Sequence, residues 1–211
     1  MPGLRVEPLR ARDRDRLVAL YDAYLEELVT LRAAYRRRAD GRWEYCPPGG
    51  NWGPDHLPYW LAHGDDHRLL AFRLHGMVIG FAMVGLRPAP WMSRGTDACI
   101  AEFYVVPGVR RRGLGEAAAL RVLSRWSGRW EVSEVPGNLA AIAFWRKVIG
   151  RATVDRYEEM EFRGGPTQRF TSGQSRARAK RRAPGAPSQR GGARRRTATR
   201  RSRGGARAPR R

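Results

Sequence analysis

The chain has 211 residues, enough for one domain of ordinary size and a further segment. Its formal charge of +21 is unevenly placed: residues 174–211 hold 15 Lys and Arg and no acid, whereas residues 1–173 hold 26 Lys and Arg against 20 Asp and Glu. Two cysteines form no disulfide or zinc pattern, and no run approaches the roughly 20 apolar residues that span a bilayer, so disulfide scaffolds and membrane spans are excluded.

Residues 4–9 alternate and contain Pro8, which predicts a short edge strand. Asp13 or Asp15 then caps a helix carrying Leu17, Leu20, Tyr21, Tyr24, Leu25 and Leu28 on one face. Packing on a sheet explains most of that face, and Tyr24 could point its hydroxyl into a cleft. From Arg36 to His67 the pattern is irregular and aromatic, with Trp43, Tyr45, Trp52, Tyr59 and Trp60 among Pro47-Pro-Gly-Gly50 and His56-Leu-Pro58. A short helix is expected between Asp55 and Ala62. His63 and His67 stand four apart, but Gly64 between them disfavours the helix that would make them a metal pair.

Residues 68–74 and 77–84 read as strands joined by a tight His75-Gly76 turn. A loop from Pro88 to Gly95 carries Trp91, and Ala98 begins the central strand. That strand is apolar and β-branched and ends at Pro107, which has no N–H for a ladder. Arg110, Arg111, Arg112, Gly113 and Gly115 follow, and then an Ala- and Leu-rich helix. A strand–turn–helix of this kind aims unpaired N–H groups at one point, and the helix dipole adds roughly half a positive charge there. It is an anion cradle. A Walker loop is excluded because the only lysines are Lys147 and Lys180, and a dinucleotide fingerprint lacks its third glycine. Residues 130–135 read as a strand, Pro136-Gly-Asn138 as turn and cap, and Ala141, Phe144, Trp145 and Val148 recur at helical spacing. Residues 152–162 read as a strand, and 168–171 as a short final one.

Val105-Val106-Pro107 followed by Arg110-x-x-Gly113-x-Gly115 resembles the acyl-coenzyme A signature of the GNAT acyltransferase superfamily. Asn138-x-x-Ala141-x-x-Phe144-Trp145 resembles the superfamily's second motif, in the expected order and at the expected distance. The resemblance covers residues 4–171, with specific motifs in 102–116 and 138–145. It implies an α/β fold with a GNAT-like mixed, strongly twisted central sheet flanked by helices, occupying a domain of residues 1–173. It further implies acetyl-CoA as co-substrate and an N-acetyltransferase acting on a primary amine of a small molecule, peptide or protein. On this resemblance, backbone groups around Tyr104, Val105 and Val106 meet the oxyanion and the pantetheine amides. The turn of Arg110, Arg111, Arg112, Gly113, Leu114 and Gly115 holds the pyrophosphate, and Asn138 binds the pantetheine arm.

Glu102 is the best candidate general base, because an isolated carboxylate in an apolar strand is costly unless paired or functional. The alternative is an ion pair with Arg73 or Arg87 across the sheet, and Glu131 and Glu134 are lesser candidates. One departure matters: the superfamily's general-acid tyrosine falls on Trp145, whose indole cannot deliver a proton to a thiolate. Either the thiolate leaves unprotonated, or Tyr104 or Tyr157 substitutes, or activity is lost and a cofactor-binding module remains.

Residues 174–211 contain no aromatic, Leu, Ile or Val. They cannot bury enough apolar surface to offset ordering entropy, which predicts a disordered Arg-rich tail. Its charge attracts polyanions, but it offers no rings for base stacking. The rival reading is therefore a catalytically weak acyl-CoA-binding module whose tail binds nucleic acid. The expectation is a soluble cytoplasmic protein, monomer or homodimer, with no metal and no membrane contact.

Overall fold

The structure, a computed structural model, describes residues 2–31, 34–46, 50–62, 64–89, 92–162 and 164–173. His63, Trp91, the segment 47–49 and the tail 174–211 lie outside the described residues. The element order is β1 (Leu4–Pro8), α1 (Arg14–Leu28), β2 (Tyr35–Arg37), β3 (Trp43–Tyr45), β4 (Gly53–Pro54) and α2 (Leu57–Leu61). Then come β5 (His67–Leu74), β6 (Met77–Leu86), β7 (Ala98–Val105), α3 (Leu114–Leu123), β8 (Gly128–Ser133), α4 (Leu139–Thr153), β9 (Tyr157–Phe162) and β10 (Gly165–Ser172).

Seven strands form one sheet in the order β1-β5-β6-β7-β8-β10-β9. All neighbours run antiparallel except β7 and β8, which are parallel. The β5–β6 hairpin turns where expected, with His75 and Gly76 both at positive φ, 47° and 87°. The pleat sends alternate residues to two cores. Leu70, Phe72, Val84, Ile100, Val105 and Trp130 pack under α3 and α4 with Val122, Val148 and Ile149. Ala71, Phe81, Met83 and Tyr104 pack under α1 with Leu17, Tyr21 and Leu25. Gly80 on β6 lies so close to β7 that a Cβ there would stand 2.2 Å from the Tyr104 carbonyl oxygen. Only glycine fits.

Three expectations are corrected. Asp13 stands at the N-cap of α1 but makes no capping bond there. Its carboxylate turns instead to Arg73, 2.5 Å away, and Arg73 also holds Glu7 at 2.8 Å. This buried pair fastens β1 and the start of α1 to β5, which a surface cap would not do. Residues 152 and 153 belong to α4, not to a strand. The helix ends because Val154 and Asp155 adopt the left-handed conformation, φ 55° and 56°, and the Asp155 N–H closes back on the Gly150 carbonyl at 2.8 Å. The aromatic region is not wholly irregular, since β2, β3 and β4 form a three-stranded sheet. Trp43 is buried there and donates its indole N–H to Asp22 of α1 at 3.0 Å.

Candidate active site

The parallel pairing of β7 and β8 covers only Ala98–Ile100 against Trp130–Val132. Beyond Ile100 the two strands part. At the same place β7 carries a bulge: Val84 pairs with Ile100 and Met83 with Glu102, which leaves Ala101 as an extra residue. The Val106 N–H donates to the Ile79 carbonyl at 2.9 Å. By the antiparallel alternation, the backbone groups of Tyr104 also face β6, while those of Phe103 and Val105 face the opening. Of the three strand-end residues named from sequence, Val105 therefore presents its amide to the splay. Tyr104 and Val106 turn theirs to the neighbouring strand. Phe103 was missed, and counting by twos back from Pro107 would have found it.

The second wall of the site is a helix end. Residues 107–109 make one 3₁₀ turn, and the chain then passes through Arg111 at φ 61° and Gly113 at φ 73° before α3 begins. Gly113 is the N-cap and supplies no side-chain cap. The first N–H groups of α3 thus lack the usual side-chain acceptor, and Arg111 and Arg112 stand exposed beside them. A Cβ on Gly115 would meet only Phe144 at 3.6 Å and Val105 at 3.8 Å, which is ordinary contact. The protein itself does not need a glycine there, and the lack of a side chain leaves the backbone open to a ligand. These residues fit a diphosphate. Leu114 instead points inward and is buried in the core.

Arg110 is held by the protein. One guanidinium nitrogen reaches both Glu27 oxygens at 2.9 Å, its Nε donates to the Val105 carbonyl at 2.7 Å, and its plane lies 5.2 Å from the Tyr104 ring centroid. Asn138 caps α4, its side-chain oxygen accepting the Ala141 N–H at 3.1 Å. Its amide nitrogen remains the group with which it can meet a ligand.

Glu102 is partly buried on the α1 side of β7, and Tyr24 of α1 donates its hydroxyl to the Glu102 carboxylate. Burial first, and then the Glu102 charge, pushes the Tyr24 hydroxyl well above the ordinary phenol value, so it stays a protonated donor. The arginines considered as partners are engaged elsewhere: Arg73 with Glu7 and Asp13, Arg87 with Asp97 at 3.1 Å. Glu131 is buried against Arg169 at 3.3 Å, with the Ser93 N–H and the Thr96 hydroxyl also donating to it. Glu134 is buried beside Gln168, which donates to it at 3.3 Å. Burial raises its carboxyl to about 7.

Trp145 lies on the opposite side of the sheet, edge-on to Phe103 and Phe144 at 5.1 and 5.2 Å. Neither tyrosine considered in its place adjoins the α1 side as a spare donor. Tyr104 gives its hydroxyl to Glu27 at 3.1 Å, and Tyr157 sits on β9, three strands from β7. Among the described residues no group of His, Cys, Asp and Glu could hold a metal ion, and no helix is long and apolar enough to cross a membrane.

The comparisons agree with this architecture. Among solved structures, an acetyltransferase from Thermus thermophilus superposes with a TM-score of 0.52 at 14% identity, covering 80% of this chain and 97% of that one. The protein yncA from Salmonella typhimurium, solved with its cofactor acetyl-CoA, gives 0.52 at 15% identity, covering 83% and 98%. At such identity the likeness is one of fold. No curated protein matches. The model of the acetyltransferase (GNAT) family matches residues 19–150, more than half of the sequence, and takes in both motifs and the splay between them. The chain belongs to the GNAT acetyltransferase family.

Proposed function

We propose that this protein transfers an acetyl group from acetyl-CoA to a primary amine, with Glu102 accepting the amine's proton directly or through a water. The observation that carries the reading is the splay itself. It combines outward-facing backbone at Phe103 and Val105, the uncapped start of α3 and the Glu102 carboxylate just ahead of them on the same strand. Acetyl-CoA supplies the acyl group as an activated thioester. Its diphosphate would be held by the N–H groups after Gly113 with Arg111 and Arg112, and its amide chain by Phe103, Val105 and the Asn138 side-chain nitrogen.

The remaining work belongs to the chain. An amine is protonated at neutral pH and must be relieved of a proton before it is a nucleophile, which is the task of Glu102. Trp145 offers no acid, and none is needed where the leaving thiol has a pKa near 8.5. The dry aromatic packing of Phe103, Phe144 and Trp145 keeps water from one wall of the splay.

The test is incubation of the full chain with labelled acetyl-CoA and a panel of amines, peptides and ribosomal proteins. Glu102→Gln is expected to lower turnover at least about 100-fold while calorimetry shows unchanged acetyl-CoA affinity. Full turnover in that variant removes Glu102 from the mechanism, and absence of acetyl-CoA affinity in the parent removes the whole reading.

A further inference from the structure

Helix α1 and strand β7 are fastened by two bonds that exchange the same pair of chemical groups crosswise. Tyr24 on the helix donates to Glu102 on the strand. Tyr104 on the strand donates to Glu27 on the helix at 3.1 Å. The helix partners are three residues apart and the strand partners two, so each pair shares one face of its own element. The two rungs differ in their surroundings. Glu27 is 44% exposed and is neutralised by Arg110 at 2.9 Å, so its phenol bond is one contact among several. Glu102 lies deeper, with the Tyr24 phenol donating to it from α1.

We propose that Tyr24 is a positioning residue for acyl transfer: its hydroxyl holds the Glu102 carboxylate in the charged, proton-accepting form and fixes its direction on the splayed strand. This rests on the reading of Glu102 as the base. A hydroxyl that donates to a carboxylate favours the ionised form, and it does so most where water is scarce. Among the described residues, groups that face this wall include Tyr21 and Asp22 of α1, Tyr35 and Arg37 of β2, Asp55 and His56 ahead of α2 and Tyr104 of β7. Asp22, Asp55 and Glu102 together act on Tyr21, and burial with those charges pushes its hydroxyl far up. Asp22 is answered by Arg37 at 3.6 Å, whereas Asp55 adds negative charge to this wall, which works against an ionised Glu102. Tyr24 opposes that trend with a neutral donor. Its ring is held for the purpose, edge-on to Phe81 at 5.9 Å and against Tyr21 and Tyr104 at 6.1 and 5.7 Å.

The test uses the full chain and the variant Tyr24→Phe, which keeps the ring and removes only the hydroxyl. The Glu102 carboxyl is followed by carbon-13 NMR across a pH titration of the cofactor-free protein, with Glu102→Gln to assign its signal. The expected result is a midpoint about one pH unit higher in Tyr24→Phe, the size of a hydrogen bond to a charged group. Tyr104→Phe, which breaks the other rung, leaves the midpoint in place. In turnover, the rising limb of rate against pH moves up by the same amount, so Tyr24→Phe is about tenfold slow below the midpoint and near normal on the alkaline plateau. A helix-packing role alone would lower the plateau and leave the limb where it was. An unmoved Glu102 midpoint in Tyr24→Phe overturns the proposal. Failure of the base reading shows separately, as Glu102→Gln keeping full turnover.

Discussion

Two strand–turn–helix units flank the splay, and their helices begin in opposite ways. In the β8–α4 unit, Asn138 turns its side chain back to accept the Ala141 N–H, and its own N–H returns to the Val135 carbonyl at 3.0 Å. In the β7–α3 unit, Gly113 has no side chain to offer, and a left-handed φ of 73° aims the chain so that the first turn of α3 faces outward. The acids of the two units differ in parallel. Glu134 is buried with one oxygen lacking a partner among the described groups, whereas Glu102 is partly exposed and held by a phenol. One unit satisfies the start of its helix from within, through the Asn138 side-chain oxygen. The other leaves its polar groups to be completed by something else, which is how a binding site differs from a well-capped helix.

The sharpest way to break that difference is to close the open unit. Gly113→Val places a β-branched residue where φ is positive, which strains the backbone by more than about 1 kcal/mol and covers the N–H groups. Calorimetry is expected to show acetyl-CoA affinity reduced more than about 100-fold, while circular dichroism shows the fold retained. Affinity within a few-fold of the parent would mean the α3 start is not the anion site.

Next in size is the acid of the closed unit. With the folded carboxyl of Glu134 raised from 4.5 to about 7, the folded state binds the proton more tightly than the unfolded state. Stability is therefore highest below the ordinary value and falls as pH rises from about 4.5 to about 7. Glu134→Gln removes the cost, so thermal denaturation should show the variant more stable than the parent at pH 8.5. The gain is at most about 3 kcal/mol and smaller once solvent screening is counted. At pH 4 the gain disappears. Equal melting at both pH values would show that Glu134 carries no such penalty.

The smallest effect separates the two jobs of Asn138. Asn138→Asp keeps the capping oxygen and loses the amide donor, so stability should hold while acetyl-CoA affinity falls by about tenfold. Asn138→Ala loses the cap as well, and should cost about 1 kcal/mol of stability in a denaturant titration. Parent-like affinity in the aspartate variant would leave Asn138 as a cap and nothing more.

What could be read from sequence was whatever a local stretch settles by itself. The run into Pro107, the glycines that follow it and the Asn138 cap each have a cause within a few residues, and the resemblance they carry implied the mixed α/β sheet. The bonds that hold the candidate site and the helix beside it span the chain. Tyr24 and Glu102 are 78 residues apart, Glu27 and Arg110 83, and Asp13 and Arg73 60. Nothing in the neighbourhood of Asp13 says that it will leave its helix cap for an arginine on β5. The small sheet was missed because strands of two or three residues carry too little alternation to register. The end of α4 was missed because Thr153 and Val154 are β-branched residues that read as a strand start, while the helix is carried on by the core contacts of Val148 and Ile149.

The extra residue at Ala101 sets a frame. Ile100 before it and Phe103 after it both face α3 and α4, although an unbroken strand would put residues three apart on opposite sides. Drawing Ala101 into regular pairing would carry Glu102 and Tyr104 together into the apolar layer around Trp145, while Phe103 and Val105 crossed to α1. A one-residue insertion thus lets a single strand be written in two phases. Its first half is tied to the sheet on both sides, and its second half to β6 alone. The bulge is thus the boundary between the part of the strand paired on both edges and the part whose backbone at Phe103 and Val105 is left open on one edge.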